Sequence, residues 1–334
     1  MRFSFLPSLA LFSLSHASVV DIRSPRSTSS CSATSFYPGW SGIKNAFIFG
    51  DSYTSTSFDL RSTQPSPTNP LGNPSYPGWT SSNGPNWVGY LATRNNASTL
   101  LTYNLAYGGA TMDSTLVAPY QPQVSSIKDQ VEKEFLPTYS KSNKWKSNDT
   151  IFAVWDGIND VGNSWWKNTT TLYDDIFTVY STLINELYDS GARNFVVLSV
   201  PPVERSPLAL ANGEAERKIE GEKIREWNER QEMLVRELKS GREGVNVFLV
   251  DAGALFTKVL DDVKSFPETA GYRNTTAYCR SYENGTPAPN TMTAGCGVPV
   301  NQYFWLNSLH PTYPMHEVIA KEVAMQLKAG PNVC

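Results

Sequence analysis

Histidine is scarce in this chain, and its scarcity narrows the chemistry that the chain can perform. Among 334 residues there are three histidines, His16, His310 and His316, and only four cysteines. No His-x-x-x-His or Cys-x-x-Cys pair is present, so the sequence offers little to hold a zinc ion. Glycine-rich phosphate-binding patterns such as Gly-x-Gly-x-x-Gly are missing too. We therefore predict neither a metal ion nor a cofactor.

An excess of positive charge and long apolar runs are also lacking. Charged residues make up 18% of the chain, the formal net charge is −3, and no long basic run occurs. Since nucleic-acid binding requires a positive patch, the sequence argues against such a partner. Beyond the N-terminus, no stretch reaches the 18 apolar residues of a membrane span. With 40% hydrophobic residues the composition is that of a globular protein, which we expect to be a monomer.

The first residues have the pattern of a secretory signal. Arg2 supplies a positive charge, residues 3–14 are largely apolar, and small residues lead to a cleavage site near Ala17. The shortness of the apolar stretch disfavours the alternative, an uncleaved anchor. We expect a secreted, extracellular protein with a signal peptide over 1–17, a Ser/Thr-rich N-terminal tail over 18–41 and one domain over 42–334.

Secretion gives meaning to the cysteines and to several asparagines. An even number of cysteines in an oxidising compartment predicts disulfides. Cys279 and Cys296 flank a loop rich in Gly, Pro, Thr and Asn and are the favoured pair, which leaves Cys31 and Cys334 to join the termini. Four cysteines allow three pairings, so the connectivity stays open. Five acceptor sequons predict glycosylation, at Asn96, Asn148, Asn168, Asn274 and Asn284.

Short apolar runs alternate with helical patterns from about Gly42 onward. Each run is bounded by turn residues, as strands buried on both faces are. The five runs are 46–49, 100–106, 151–155, 195–200 and 245–250. The intervening segments carry apolar residues at helical spacing. This alternation predicts a single doubly wound parallel sheet of about five strands with helices on both faces.

Ser52 lies directly after the first predicted strand, in Gly50-Asp51-Ser52. It therefore sits at the carboxyl edge of the sheet, where open α/β folds place their ligands. Serine is a poor nucleophile unless a base and oxyanion donors converge on it. The stretch 54–86 that follows is dense in Ser, Thr, Pro, Asn and Gly, and we interpret this long loop as functional.

The base that Ser52 needs has one good candidate. His16 leaves with the signal peptide, and His316 falls inside the pattern of the last helix, where we interpret it as a surface residue. His310 precedes Pro311, which holds the segment out of the helix, so His310 is expected on a connecting loop. Loop histidines are free to face a site at the sheet edge.

Oxyanion donors are expected from two further strand ends. Gly108 and Gly109 follow the second strand, where glycine lets a backbone N–H approach a substrate closely. Gly157-Ile158-Asn159-Asp160 follows the third strand, where an asparagine side chain can donate. Each signal is weak alone, but both fall at the sheet edge that carries Ser52.

Taken in order, these blocks resemble those of the SGNH, or GDSL-type, hydrolase superfamily. The Gly-Asp-Ser block, the Asn-x-Ala-x-x-Gly spacing, Gly-x-Asn-Asp and the final histidine match Ser52, Gly109, Asn159 and His310. The resemblance implies a flavodoxin-like fold, a Ser52 nucleophile and a His310 base. It also implies an oxyanion hole made of the Ser52 and Gly109 N–H groups and the Asn159 amide.

The chain departs from that family pattern three residues before His310. The family's Asp-x-x-His carries an orienting carboxylate, whereas this chain has Asn307. An asparagine cannot stabilise an imidazolium as a carboxylate does. Three interpretations remain open. Asn307 or a backbone carbonyl accepts the imidazole N–H in a Ser-His dyad, a distant acid replaces the missing carboxylate, or the protein is catalytically inactive.

The whole sequence most resembles secreted fungal acetylesterases of carbohydrate esterase family sixteen. That resemblance implies a small ester substrate, such as acetylated xylo-oligosaccharides. The alternatives are a carboxylesterase or lipase acting on longer acyl chains and a non-catalytic glycan-binding protein. Among the aromatics, Trp165 and Trp166 lie in a polar loop and are candidates for a sugar-binding rim, whereas Trp87 is expected in the core.

Overall fold

The fold is built around five short strands. The computed structural model describes residues 31–167 and 171–334, so the predicted signal peptide and the sequon at Asn168 lie outside the described residues. The strands are β1 Asn45–Gly50, β2 Leu101–Asn104, β3 Thr150–Trp155, β4 Asn194–Leu198 and β5 Asn246–Val250. All five predicted runs are confirmed as strands, with ends that differ by one or two residues.

The strands form one parallel sheet in the order β2-β1-β3-β4-β5. The doubly wound arrangement predicted from the sequence is confirmed. Because β1 lies between β2 and β3, the chain direction across the sheet reverses at β1. Ligands of open α/β sheets bind outside the carboxyl ends of the strands at this switch point. The turns after β1, β2 and β3 therefore converge there.

Helices surround the sheet. The α-helices are α1 Trp87–Thr93, α2 Ile127–Asp129, α3 Leu136–Thr138, α4 Ile158–Gly162, α5 Leu172–Asp189, α6 Pro207–Leu210, α7 Glu214–Gly241, α8 Ala252–Asp261 and α9 Tyr313–Ala329. A π-helical segment, Gln130–Phe135, joins α2 to α3. The sequence did not predict α1, whose start is fixed by the Asn86 side chain accepting the N–H groups of Val88 and Gly89.

Aromatic side chains fill both faces of the sheet. Phe47 stacks between its strand neighbours Tyr103 and Phe152, at ring distances of 4.8 and 5.4 Å, and Phe135 covers it edge-on at 4.9 Å. Trp155 projects to the opposite face, where it packs against aromatic residues of α1 and α8. Residues of β1 and β3 are buried throughout, as expected of strands covered on both sides.

Both predicted disulfides are present. One joins Cys279 to Cys296 and the other joins Cys31 to Cys334. The described part of the N-terminal segment packs against the domain: Tyr37 is buried. Of the described sequons, Asn148 and Asn284 are exposed, while Asn96 and Asn274 are partly exposed. Among the described residues, no helix combines the length and apolarity that crossing a membrane requires.

Candidate active site

Ser52 lies on a tight turn that close packing and hydrogen bonds hold in one conformation. The turn begins at Gly50, where a Cβ atom would lie 2.6 Å from the carbonyl oxygen of Trp155, so only glycine fits. The buried side chain of Gln130 pairs with Gly50 twice, accepting its N–H at 3.0 Å and donating to its carbonyl at 2.9 Å. The Tyr53 N–H donates to the Asp51 carboxylate at 2.9 Å. These bonds fix where the Ser52 side chain points.

His310 meets Ser52 across a large separation in sequence. The imidazole Nε2 lies 2.8 Å from the Ser52 Oγ, although 258 positions separate the two residues. His310 sits on the loop before α9, as expected, and is partly exposed. A hydroxyl within this distance of an imidazole nitrogen can pass its proton to that nitrogen as the oxygen attacks.

Asn307 lies behind the histidine. Its Oδ1 atom is 2.9 Å from the imidazole Nδ1 and also accepts the backbone N–H groups of Leu309 and His310, at 3.1 and 2.9 Å. Two backbone donors identify this atom as the oxygen of the amide, because the amide nitrogen cannot accept them. A carbonyl oxygen only accepts, so Nδ1 carries the hydrogen and Nε2 is the free base facing Ser52.

The environment keeps the imidazole neutral. Although the residue as a whole is partly exposed, the protein atoms packed around the imidazole lower the pKa of His310 to about 4, because desolvation disfavours the charged form. Among the described residues, no carboxylate forms an ion pair with this histidine. A carboxylate at position 307 would oppose the effect of burial, but a neutral amide does not. His310 is therefore deprotonated, and competent as a base, well below neutral pH.

The predicted oxyanion donors gather at the same sheet edge. Gly108 is next to Ser52, since a Cβ atom on Gly108 would lie 3.8 Å from the Ser52 Cβ. Gly109 lies beneath the ring of Tyr120 and has φ +86°, a backbone conformation that favours glycine. The Asn159 Nδ2 donates to the carbonyl of Ala110 at 2.9 Å. These contacts hold the Asn159 amide against the turn that carries both glycines.

Three aspartates that the sequence reasoning did not single out lie fully buried beneath this edge: Asp51, Asp156 and Asp160. Burial raises the pKa of Asp51 to about 7, and burial together with the neighbouring aspartates holds the pKa of Asp156 well above its usual range. Asp51 faces the Asn159 amide at 3.5 Å, and Asp160 accepts the Met112 N–H at 3.0 Å. Two of these aspartates belong to the motifs themselves, Gly-Asp-Ser and Gly-x-Asn-Asp.

One histidine prediction was wrong. His316 is not a surface residue but is 1% exposed, with its ring centre 6.0 Å from that of Tyr53. Position 316 lies on the same helical stripe as Ile319 and Val323, both buried against the core. Helical periodicity, rather than residue type, decided its burial. In the described part of the chain neither ring nitrogen of His316 has a hydrogen-bond partner.

Two openings are lined by residues of the candidate active site or by their chain neighbours. The first, which we call the Ser52 groove, has a volume of about 790 Å³. Its lining includes Ser52, Phe58, Trp79, Tyr107, Gly108 and Tyr120. The second, which we call the Glu220 cavity, has a volume of about 310 Å³. Its lining includes Asn159, Trp165, Trp166, Leu208, Glu220 and Leu309.

The tryptophans divide as the sequence suggested. Trp87 is fully buried in the core. Trp165 and Trp166 both line the Glu220 cavity, Trp166 with 58% of its surface exposed. Trp79, from the long loop after Ser52, is 78% exposed at the Ser52 groove. Aromatic surface therefore borders both openings.

Comparison with known proteins identifies the relatives of this chain. Residues 47–323 match the family model described as GDSL-like Lipase/Acylhydrolase. The chain is 39% identical over 288 residues to an acetylesterase from Thermothelomyces thermophilus, covering 84% of this chain and 87% of that protein. It is 25% identical over 248 residues to the thermolabile hemolysin of Vibrio parahaemolyticus, covering 72% of this chain and 54% of the hemolysin. Among solved structures, an acetyl xylan esterase from Geobacillus stearothermophilus matches with a TM-score of 0.45 and 13% identity, covering 86% of this chain and 96% of the other.

Proposed function

Since the chain belongs to the GDSL-like lipase and acylhydrolase family and is an ester hydrolase, we propose that it is a secreted serine esterase that removes short acyl groups, chiefly O-acetyl, from carbohydrates. The observation that carries the mechanism is the line of contacts from Ser52 to His310 to Asn307, at 2.8 and 2.9 Å. The Ser52 hydroxyl donates to Nε2, and the protonated Nδ1 donates to the Asn307 oxygen, which are the directions that nucleophilic catalysis requires.

The proposed reaction has two halves. Ser52 Oγ attacks the acyl carbon while His310 Nε2 takes its proton, and the tetrahedral oxyanion is held by the Ser52 and Gly109 N–H groups and the Asn159 amide. His310 then gives the proton to the leaving sugar oxygen. In the second half a water molecule, activated by the same nitrogen, attacks the acyl-enzyme and regenerates Ser52. Asn307 keeps Nδ1 protonated throughout, and so keeps Nε2 facing the reacting atoms.

The relatives and the surface support an acetylated carbohydrate as the substrate. A relative that is 39% identical over most of both chains is an acetylesterase. Exposed aromatic side chains border the site, including Trp79, Tyr107, Tyr120 and Trp166. Aromatic rings offer flat apolar faces to bind against while keeping a polar edge in water. The two disulfides are compatible with the proposed secretion, since such bonds persist in oxidising compartments.

One observation favours longer acyl chains as a second candidate. Phe58 and Leu60 line the Ser52 groove beside the nucleophile, and a groove of about 790 Å³ exceeds the needs of an acetyl group. An alkyl chain lying on these side chains would bury apolar area and bind more tightly with length. Measured chain-length preference separates the two candidates.

We expect the rate constant kcat/KM for p-nitrophenyl esters to be highest for the acetate and to fall through butyrate to octanoate. The same protein should also release acetate from acetylated xylo-oligosaccharides. The Ser52→Ala protein, purified identically, corrects for contaminating esterases. A preference for octanoate would show that the protein is a lipase-like carboxylesterase instead. If no acetate is released from the oligosaccharides, the proposed carbohydrate substrate is wrong.

The pH dependence of kcat/KM should show that the group bonded to Nδ1 of His310, Asn307, is uncharged. Protonation of Nε2 abolishes its function as a base, so kcat/KM should fall only as the pH drops through about 4, where His310 titrates. In the Asn307→Asp protein the carboxylate stabilises the imidazolium and raises the pKa, so this acid limb should move to higher pH. The measurement is kcat/KM for p-nitrophenyl acetate from pH 3 to pH 6.

Removing the orienting oxygen provides the matched control. The Asn307→Ala protein loses the bond to Nδ1 and should lose up to about 10²-fold in kcat because the imidazole is no longer aimed at Ser52. Its acid limb should stay where the wild-type limb is, since no charge has changed. If the alanine variant keeps full activity, another group orients His310 and the role assigned to Asn307 is wrong.

A further inference from the structure

The Glu220 cavity shares two wall residues with the surroundings of the candidate active site. Asn159, the proposed oxyanion donor, and Leu309, which precedes His310, both line it. The leaving alcohol of an ester must lie near His310, because that residue protonates it. A cavity bounded by these two residues is therefore placed to receive the alcohol part of the substrate.

Glu220 is an unusual residue for the wall of such a cavity. It lies on α7 and is 6% exposed, yet its carboxyl group makes no hydrogen bond or ion pair with any described residue. Burial, together with the nearby carboxyl of Glu204, raises the pKa of Glu220 to about 7. Its oxygens are not sealed from solvent, and no described group bonds them, so the carboxyl is open to a hydrogen bond from a ligand in the cavity.

The rest of the wall is mostly apolar and aromatic, with Asn163, Ser206 and Asn212 as further polar members. Trp165 packs partly on the core, and Trp166 meets it edge-on with ring centres 5.4 Å apart. Leu208 is 51% exposed on another side of the cavity. A cavity of about 310 Å³ with an apolar lining and a few placed polar groups is the usual form of a small-ligand site.

These features distinguish between possible occupants. An acyl chain would bury alkyl groups against a carboxyl that it cannot satisfy. An anionic ligand would meet a second negative charge, with Glu204 close by. A sugar ring satisfies both kinds of wall. Its C–H faces can pack on Trp165 and Trp166, and its hydroxyl groups can hydrogen-bond to the carboxyl of Glu220.

We infer that the Glu220 cavity binds the sugar ring that carries the scissile ester, with Glu220 hydrogen-bonded to a free hydroxyl of that ring. The inference rests on the proposed function, whose carbohydrate substrate it locates. Glu220 is then a specificity residue: it acts on sugar substrates and has no part in hydrolysing esters whose alcohol lacks hydroxyl groups.

The test compares two substrates. In the Glu220→Leu protein, KM for acetylated xylo-oligosaccharides should rise about tenfold or more, since hydrogen bonds to charged groups stabilise by roughly 1.5–3 kcal/mol. Activity on p-nitrophenyl acetate should stay at the wild-type level. Glu220→Gln, which keeps hydrogen-bonding capacity, should recover part of the loss. Glu222→Leu, at an exposed position of the same helix, is the control.

Binding without turnover separates this inference from the proposed function. Xylotriose should quench the tryptophan fluorescence of the Ser52→Ala protein, and the added Glu220→Leu change should abolish that quenching. Equal effects of Glu220→Leu on both substrates, or unaltered quenching, would overturn the assignment of the cavity while leaving the esterase intact. Wild-type protein that cleaves p-nitrophenyl acetate but neither cleaves nor binds the sugars would overturn the carbohydrate substrate and this site together.

Discussion

The Ser52→Ala protein is expected to lose about 10⁴-fold or more in kcat on p-nitrophenyl acetate, because no other hydroxyl group replaces the attacking oxygen. The change removes one atom from a partly exposed side chain whose turn is fixed by Gln130 and Asp51, so the melting temperature should not change. Purified wild-type and variant proteins are compared in a steady-state assay, with circular dichroism to verify folding.

Two further variants sharpen the Ser52 test. His310→Ala should cost about as much as Ser52→Ala, and the double variant no more than either, because residues that act as a unit give non-additive losses. Ser240→Ala, at the end of α7, alters an exposed serine whose hydroxyl donates to the backbone carbonyl of Glu237, and this change should leave kcat unchanged. A Ser52→Ala protein that keeps most of its activity would assign the nucleophile elsewhere.

The second large effect is expected at Asn159. Replacing it by alanine should lower kcat about 10²- to 10³-fold, the usual cost of one oxyanion donor. KM should change little, because the bond strengthens only when charge develops on the substrate oxygen. The assay is again p-nitrophenyl acetate, whose small alcohol does not depend on the sugar cavity.

Asn159 also has a structural bond, so its control must share that property. Asn163 lies in the same segment, and its amide donates to the carbonyl of Ala118 at 3.3 Å. Asn163→Ala should lose that bond without losing activity. If both variants lose equally in kcat, or if Asn159→Ala lowers the melting temperature in step with activity, the bond to Ala110 explains the effect and the oxyanion role falls.

The residue behind the histidine shows where sequence reasoning reached its limit. Asn307 stands where the Asp-x-x-His pattern of the resembled family has an aspartate, and the sequence left an orienting amide, a distant acid and an inactive protein all open. In the folded chain one amide oxygen accepts two backbone N–H groups and also faces Nδ1. That geometry depends on how the loop closes, which residue types three positions apart do not specify.

His316 and Glu220 show a second limit of prediction from sequence, which concerns buried polar residues. Both are polar, and neither was predicted from the sequence to be buried. Glu220 lies on the stripe of α7 that continues through Ile224 and Trp227, all buried. A charged residue on an apolar stripe was a readable signal for a buried carboxyl. The sequence does not show what this carboxyl faces, because the cavity walls come from three separate segments, within 158–166, within 203–220 and at 309.

The sequence by itself determined the sheet and the positions of the four motif residues, and it favoured the disulfide pairs that the structure shows without excluding the other pairings. Strand and turn signals are local, and parallel strands bring their carboxyl ends to one edge, so Ser52, Gly109 and Asn159 had to come near one another. Only the tertiary structure decided the proton path, the orientation of the imidazole and the buried acids. Those depend on atomic distances and on exclusion of water, which packing between remote segments sets and local pattern does not.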